Sequence, residues 1–131
     1  MRVDLRGVAL LCVATGCGSA TDLPPLPDGA VPMSPPAIYE TWWHEVEQCS
    51  EKTGDFAAVS WYYVPGSADF ASVSGADVLG VWQPSRNAIT LAEFARENSF
   101  IVAHEELHAI LHRTDHPAEY FAQKCGNVVA H

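Results

Sequence analysis

Residues 93–113 have the sequence EFARENSFIVAHEELHAILHR, a long helical pattern that decides the fold. Apolar side chains recur three and four positions apart, as they do along one side of an α-helix. Asn98 and Ser99 are residue types that cap helices, so we predict that the helix begins near residue 99. Proline lacks the backbone N–H that continues a helix, and the segment 114–117 (TDHP) is therefore predicted to end it.

Within this helix, residues 104–108 (HEELH) match the pattern H-E-x-x-H. Residues four apart lie one turn along the same helix face, so His104 and His108 can offer two imidazole nitrogens to one Zn²⁺, at about 2.0–2.1 Å each. Glu105 is rotated around the helix and can approach a water on the metal without binding the metal itself. Because zinc lowers the pKa of such a water toward about 7, we predict that Glu105 takes its proton as general base.

A catalytic zinc needs a third protein ligand and an open position. His112 continues the helical series, but all three helix histidines would then span about 12 Å of helix rise, which is too far for one metal. We expect His112 to face solvent or cap the helix. His116 follows the helix break, where the chain can turn back toward the metal, and we predict it as the third ligand. Two carboxylates remain alternatives that would otherwise orient the histidines: Asp115 and Glu119.

The remainder of the chain predicts a small α+β domain. Residues 37–52 (AIYETWWHEVEQCSEK) follow two prolines and are predicted to form a helix. Apolar residues recur in it at helical spacing, with Tyr39 and Trp43 beside them: Ile38, Trp42, Val46 and Cys49. Strands are predicted at 57–64, 78–82 and 88–92, the last two as a hairpin, and a short helix at 118–124. We expect a small antiparallel or mixed sheet of about three strands, packed on the N-terminal helix and on the HEELH helix.

Residues 1–17 have the features of a signal peptide. Arg2 and Arg6 precede an apolar stretch, residues 7–15, that is too short to span a bilayer as a helix. The sequence ATGC at 14–17 resembles a bacterial lipobox, in which lipid is attached to the cysteine, here Cys17. The alternative is an ordinary signal cleaved near Ala20. In both cases we expect an exported protein, either a membrane-anchored envelope lipoprotein or a secreted one.

Residues 18–36 contain six prolines and no apolar periodicity. Dense proline keeps a chain extended and semi-rigid, so we predict a tether over this segment. It would hold a folded domain of residues 37–131 away from a membrane surface.

Cys49 and Cys125 remain in the chain after the predicted signal peptide is removed. An even pair in an oxidising compartment predicts one disulfide. It would close a loop of 125 − 49 = 76 residues, worth roughly 4 kcal/mol on the chain-entropy model. Two buried free thiols are the alternative, and metal binding is disfavoured because neither cysteine lies near the other or near a histidine in sequence.

The charge of the chain limits its partners. The formal net charge is −9, from 7 basic and 16 acidic residues, and the pI is about 4.9. A chain this acidic, without a lysine or arginine cluster, argues against nucleic acid as a partner.

The sequence HEELH followed by Asp115-His116-Pro117 resembles the zincin clan of metallopeptidases. It is similar to small bacterial metallopeptidase lipoproteins in which H-E-x-x-H is followed by D-H-P. The resemblance covers residues 100–119, about one sixth of the chain. It departs from the metzincin branch at Leu111 and Thr114, where that branch has glycine and its third histidine.

The resemblance implies an enzyme that hydrolyses peptide bonds with one zinc ion. In this clan an edge strand beside the active helix binds substrate as an added strand, and residues 88–92 (AITLA) resemble it. The clan often uses tyrosine or histidine to stabilise the transition state, and Tyr120 is the candidate here.

Two functions therefore compete. The first is an exported zinc-dependent peptidase, monomeric, that acts on peptide or protein substrates and meets a membrane only through an N-terminal lipid. The second is a non-catalytic zinc-binding envelope lipoprotein or interaction module with the same fold. Glu105 favours the first, because a purely structural zinc site uses four protein ligands and needs no general base.

Overall fold

The structure is a computed structural model that describes residues 22–129. The predicted signal peptide with Cys17, and the first residues of the predicted tether, lie outside the described residues. Within these residues, two helices and six strands follow one another, with short 3₁₀ turns at Phe56–Ala58 and Glu93–Ala95 and a π-helical segment at Glu119–Lys124. The elements are β1 (Val31–Pro32), α1 (Ala37–Ser50), β2 (Ser60–Val64), β3 (Phe70–Ala71), β4 (Asp77–Val78), β5 (Gly80–Gln83), β6 (Ala88–Ala92) and α2 (Ser99–Leu111).

The predicted α+β class is confirmed. A four-stranded mixed sheet has the order β1-β2-β6-β5, in which β2 and β6 run parallel and the other pairs are antiparallel. Strands β3 and β4 form a separate two-stranded sheet. The predicted hairpin is β5–β6, and Asn87 in its turn has φ 44°. Asparagine tolerates this left-handed backbone better than most residues.

Helix α1 begins at Ala37 as predicted, and its buried face is the side that contains Tyr39 and Trp43. The buried side chains are Tyr39, Trp43, Val46 and Ser50, whereas Ile38 is 46% exposed. Two neighbouring rows of this helix are apolar, and the row with two aromatic rings, Tyr39 and Trp43, packs inward. The Tyr39 hydroxyl also donates to the carbonyl of Arg96 at 2.6 Å, which ties α1 to the turn before α2.

Strand β6 lies in the middle of the sheet, and all five of its residues are buried. Side chains alternate between the two faces of a strand. Ile89 and Leu91 face the helices, where they join the main core with Val102 and Leu107 of α2. Ala92 contributes to a second, smaller core with Phe70 and Ala95. Because side chains of β6 pack on α2, this strand holds the sheet in place against the helix.

The predicted tether is only partly a tether, because residues 22–36 pack on the domain. Strand β1 pairs with β2, so the fold begins before Ala37. The carbonyls of Pro24 and Pro25 accept hydrogen bonds from the side chains of Arg86 and Gln83, at 2.6 and 3.0 Å. Proline residues lack the backbone N–H but keep the carbonyl acceptor. Here residues at the β5–β6 turn supply the donors.

The predicted disulfide between Cys49 and Cys125 is present, with the two Cα atoms 5.2 Å apart. It joins the last turn of α1 to the segment that follows α2. The chain after α2 is therefore held at two places, by the helix itself and by this covalent bond. None of the helices within residues 22–129 is long and apolar enough to cross a membrane.

Candidate metal centre

Helix α2 presents the HEELH motif between two well-formed ends. The Asn98 side chain accepts hydrogen bonds from the backbone N–H groups of Phe100 and Ile101, at 3.1 and 3.4 Å, as an N-cap does. At the other end His112 adopts φ 52° and its N–H donates to the carbonyl of His108. The prediction that His112 caps the helix is confirmed.

Three imidazoles converge beside the helix. The Nε2 atoms of His104 and His116 lie 3.0 Å apart, and that of His108 lies 3.2 Å from each of them. A tetrahedral zinc ion with Zn–N bonds of about 2.0–2.1 Å requires nitrogens about 3.3–3.4 Å apart. The three histidines are therefore close enough to bind one metal ion. Imidazole suits zinc, copper, iron and nickel, and not magnesium or calcium.

The turn after α2 brings His116 back to the helix. The backbone N–H of Arg113 donates to the carbonyl of His108 at 3.3 Å, and this bond turns the chain over the end of the helix. The Arg113 guanidinium donates to both carboxylate oxygens of Asp115, at 2.8 and 2.6 Å. Asp115 is thus paired within the turn and is not part of the histidine cluster. Glu119, the other alternative ligand, lies 3.4 Å from the ammonium of Lys124.

His108 is held in the protonation state that a metal ligand needs. Burial lowers its pKa to about 4, against the opposing effect of its hydrogen bond to Arg113, so the ring is neutral at physiological pH. Its Nδ1 donates to the carbonyl of Arg113 at 2.7 Å. The proton is therefore on Nδ1, and the lone pair of Nε2 is directed at the cluster.

Phe121 forms the floor of the cluster and was not predicted from the sequence as part of the site. Its ring centroid lies 5.0 Å from that of His104 and 4.8 Å from those of His108 and His116. The side chain is only 3% exposed. The one available signal was an apolar residue in the predicted last helix, which does not distinguish a site wall from ordinary core. Phe121 limits where each imidazole can turn.

Glu105 lies on the wall of the cleft that the histidines share. The side chain is buried, and burial raises its pKa to about 8, while a backbone hydrogen bond from Trp82 acts in the opposite direction. A cation held by the histidines would favour the charged carboxylate. The pKa of the Glu105 carboxyl is therefore close to neutral pH, and the group lies beside a candidate metal site.

The cleft runs between α2 and the edge strand β5. A part of about 260 Å³ holds the histidines, Glu105 and Thr114, and a part of about 470 Å³ extends toward Leu79 and Ile101. His116 is exposed at its mouth, so the cluster has an open side. Tyr120 is not among the lining residues of either part; it packs on the main core and lies under Lys124.

The strand beside the cleft is β5, and not the predicted segment 88–92. That segment is β6, which is paired on one side with β2 and on the other with β5, so no further strand can add to it. The sequence shows where a strand lies, but the order of strands in the sheet depends on contacts between distant residues. The backbone N–H of Ala92 donates to the carbonyl of Leu79 at 2.8 Å, so the backbone groups of Gly80 and Trp82 point away from β6.

Comparisons with known proteins do not assign a family to this chain. No family model matches the chain, and neither the curated proteins nor the solved structures contain a match to it.

Proposed function

We propose that this protein is a zinc-dependent peptidase in which Glu105 is the general base. One observation carries the proposal: three imidazoles converge on one point, with a buried carboxylate in the same cleft. Each part has a role in metal-assisted hydrolysis.

His104, His108 and His116 would hold the metal. Three histidines with an open side match a catalytic zinc site, whereas structural zinc sites use four protein ligands. When bound, zinc would polarise the carbonyl of the substrate and lower the pKa of a water molecule. The cluster contains no thiolate, which favours zinc over the softer cuprous ion.

Glu105 would move the proton. Its carboxylate accepts a proton from the attacking water, whose oxygen bonds to the carbonyl carbon of the peptide. The same proton then passes to the amide nitrogen as the C–N bond breaks, which leaves a carboxylate and an amine. The Trp82 backbone N–H orients the carboxylate during both transfers. Burial of Glu105 keeps bulk water from competing for the proton.

The edge of β5 would hold the substrate as an extended strand. Its outward N–H and C=O groups at Gly80 face the cleft side of the sheet and can pair with one residue of a peptide. The Trp82 N–H is engaged with Glu105, so pairing is centred on Gly80. This arrangement suits an unfolded segment or a loop as substrate.

Export of the protein is also part of the proposal. The Cys49–Cys125 disulfide supports it, since disulfides persist in oxidising compartments outside the cytoplasm. Attachment of lipid to Cys17 and cleavage near it stay predictions.

The test compares zinc-loaded protein with its Glu105→Gln variant on a peptide library read by mass spectrometry. We expect about one zinc per chain in both proteins, and a loss of cleavage of at least 100-fold in the variant. Glu106→Gln is the matched control, because the same change one residue along removes a carboxyl that does not line the cleft. If the wild type binds zinc but cleaves nothing, the non-catalytic zinc-binding module is the better description.

A further inference from the structure

Strand β5 contacts the Glu105 side chain at two positions on the same edge. The Trp82 backbone N–H is close enough to lower the pKa of its carboxyl by hydrogen bonding. Two residues earlier, Gly80 leaves no room for a side chain: a Cβ there would lie 2.9 Å from Cγ and 3.1 Å from Oε1 of Glu105. The first distance is shorter than real Cβ contacts allow, so Glu105 would have to move.

Backbone conformation does not explain this glycine. The described glycines with positive φ are Gly29, Gly66 and Gly75, and Gly80 is not among them. It lies inside a paired strand, where glycine weakens the sheet and often marks a close approach of another group. Two groups approach it: the Glu105 side chain, which makes the shortest contact, and Cδ2 of Leu91, which would lie 3.1 Å from a Cβ at this position.

We propose that Gly80 is a positioning residue for the general base, an inference that rests on the proposed function. Together with the Trp82 N–H it positions the carboxylate: the amide favours its charged form, and the bare Cα lets Cγ lie against the strand. Any side chain at position 80 displaces the carboxylate from the amide and changes where the proton is accepted. The three histidines lie on α2 and on the turn after it, so their geometry does not depend on this contact.

The kinetic test is Gly80→Ala. We expect kcat to fall about 10- to 100-fold, because misplacement of a reacting group by about 1 Å has an effect of this size. KM should change by less than about twofold, since alanine keeps the backbone groups that pair with substrate. Zinc content and zinc affinity should equal those of the wild type. Wild-type kcat in the variant, or a joint loss of zinc and activity, would overturn the proposal.

Gly54→Ala is the control for a general effect of crowding. A Cβ at Gly54 would lie 2.7 Å from Cζ2 of Trp43, in the core and away from the cleft. This variant should unfold at a lower temperature and keep the kcat of the wild type per folded molecule.

A second experiment tests the contact without any activity. The effect of Gly80→Ala on thermal unfolding is measured in wild type and in a Glu105→Ala background. Because the shortest contact is with the Glu105 side chain, the two substitutions should be non-additive, and Gly80→Ala should lower stability less in the Glu105→Ala background, where only the contact with Leu91 is left. Additive effects would overturn the positioning role. If the cycle is non-additive and the wild type cleaves no peptide, the contact stands and the peptidase proposal fails.

Discussion

The Nε2 atom of His116 lies 3.0 Å from that of His104, although 12 residues separate them along the chain. Only the turn after α2 makes this approach possible, and that turn depends on the hydrogen bonds of Arg113 to His108 and Asp115. A motif on one helix thus becomes a three-ligand cluster through a short, ordered loop.

Removal of His116 should weaken zinc binding strongly. We expect His116→Ala to lower zinc affinity by more than about 100-fold, which exceeds the effect usual for residues that only orient a ligand. Competition with a chromophoric chelator measures this affinity. His112→Ala is the control, because His112 is exposed and caps the helix outside the cluster. Equal affinities for the two variants would exclude His116 as a ligand.

Phe121 should contribute to zinc affinity without touching the metal. Phe121→Leu keeps an apolar side chain but removes the ring that contacts all three imidazoles, and we expect zinc affinity to fall about 10-fold. Isothermal titration with zinc measures the change. Phe56→Leu, in an aromatic cluster with Trp43 and Trp61, is the control that should leave zinc affinity unchanged. A similar loss in both variants would mean that general loosening of the core is responsible.

Reduction of the disulfide should act on both stability and the metal site. The Cys49–Cys125 bond closes a 76-residue loop, so its loss should lower the free energy of unfolding by up to roughly 4 kcal/mol. It also frees one end of the segment that carries His116 and Phe121, and zinc should then bind more weakly. Denaturant unfolding and zinc titration of Cys49→Ala/Cys125→Ala measure both effects. Unchanged zinc affinity in folded variant protein would show that α2 alone holds the turn in place.

Glu106 should make stability depend on pH. It is fully buried, and burial, aided by Glu45, raises its pKa to about 9, against 4.5 for the ordinary carboxyl. The folded state then keeps a proton that the unfolded chain releases. The contribution of Glu106 to stability is therefore highest below about pH 4.5, falls as the pH rises, and levels off above about pH 9.

Glu106→Gln has no carboxyl at this position, so the variant does not lose this stability as the pH rises. The difference in Tm between Glu106→Gln and wild type should therefore grow in favour of the variant from about pH 5 to about pH 9. Calorimetry across that range measures it. A difference that stays constant with pH would contradict the raised pKa.

Features that depend mainly on residues close together in the sequence were predicted correctly. Helix α2 and its cap at Asn98 follow from apolar spacing and one side-chain acceptor. The disulfide follows from there being two cysteines after the predicted signal peptide. His116 was predicted from its place after a helix break, and the structure does bring it to the two helix histidines.

The remaining features depend on contacts between distant residues. Residues 88–92 were predicted correctly as a strand, but their central place in the sheet is set by parallel pairing with β2. The docking of residues 22–36 depends on donors some 60 residues away, and no local pattern reveals them. Gly80 and Phe121 look like an ordinary strand glycine and an ordinary core ring until their neighbours are known.

An anomalous difference map, recorded at the zinc absorption edge from crystals grown with equimolar zinc, shows directly whether the three histidines bind zinc. We expect one strong peak, about 2.0–2.1 Å from the Nε2 atoms of His104, His108 and His116, with no fourth protein ligand. A peak elsewhere, a fourth protein ligand, or no peak at all in folded protein would contradict this expectation.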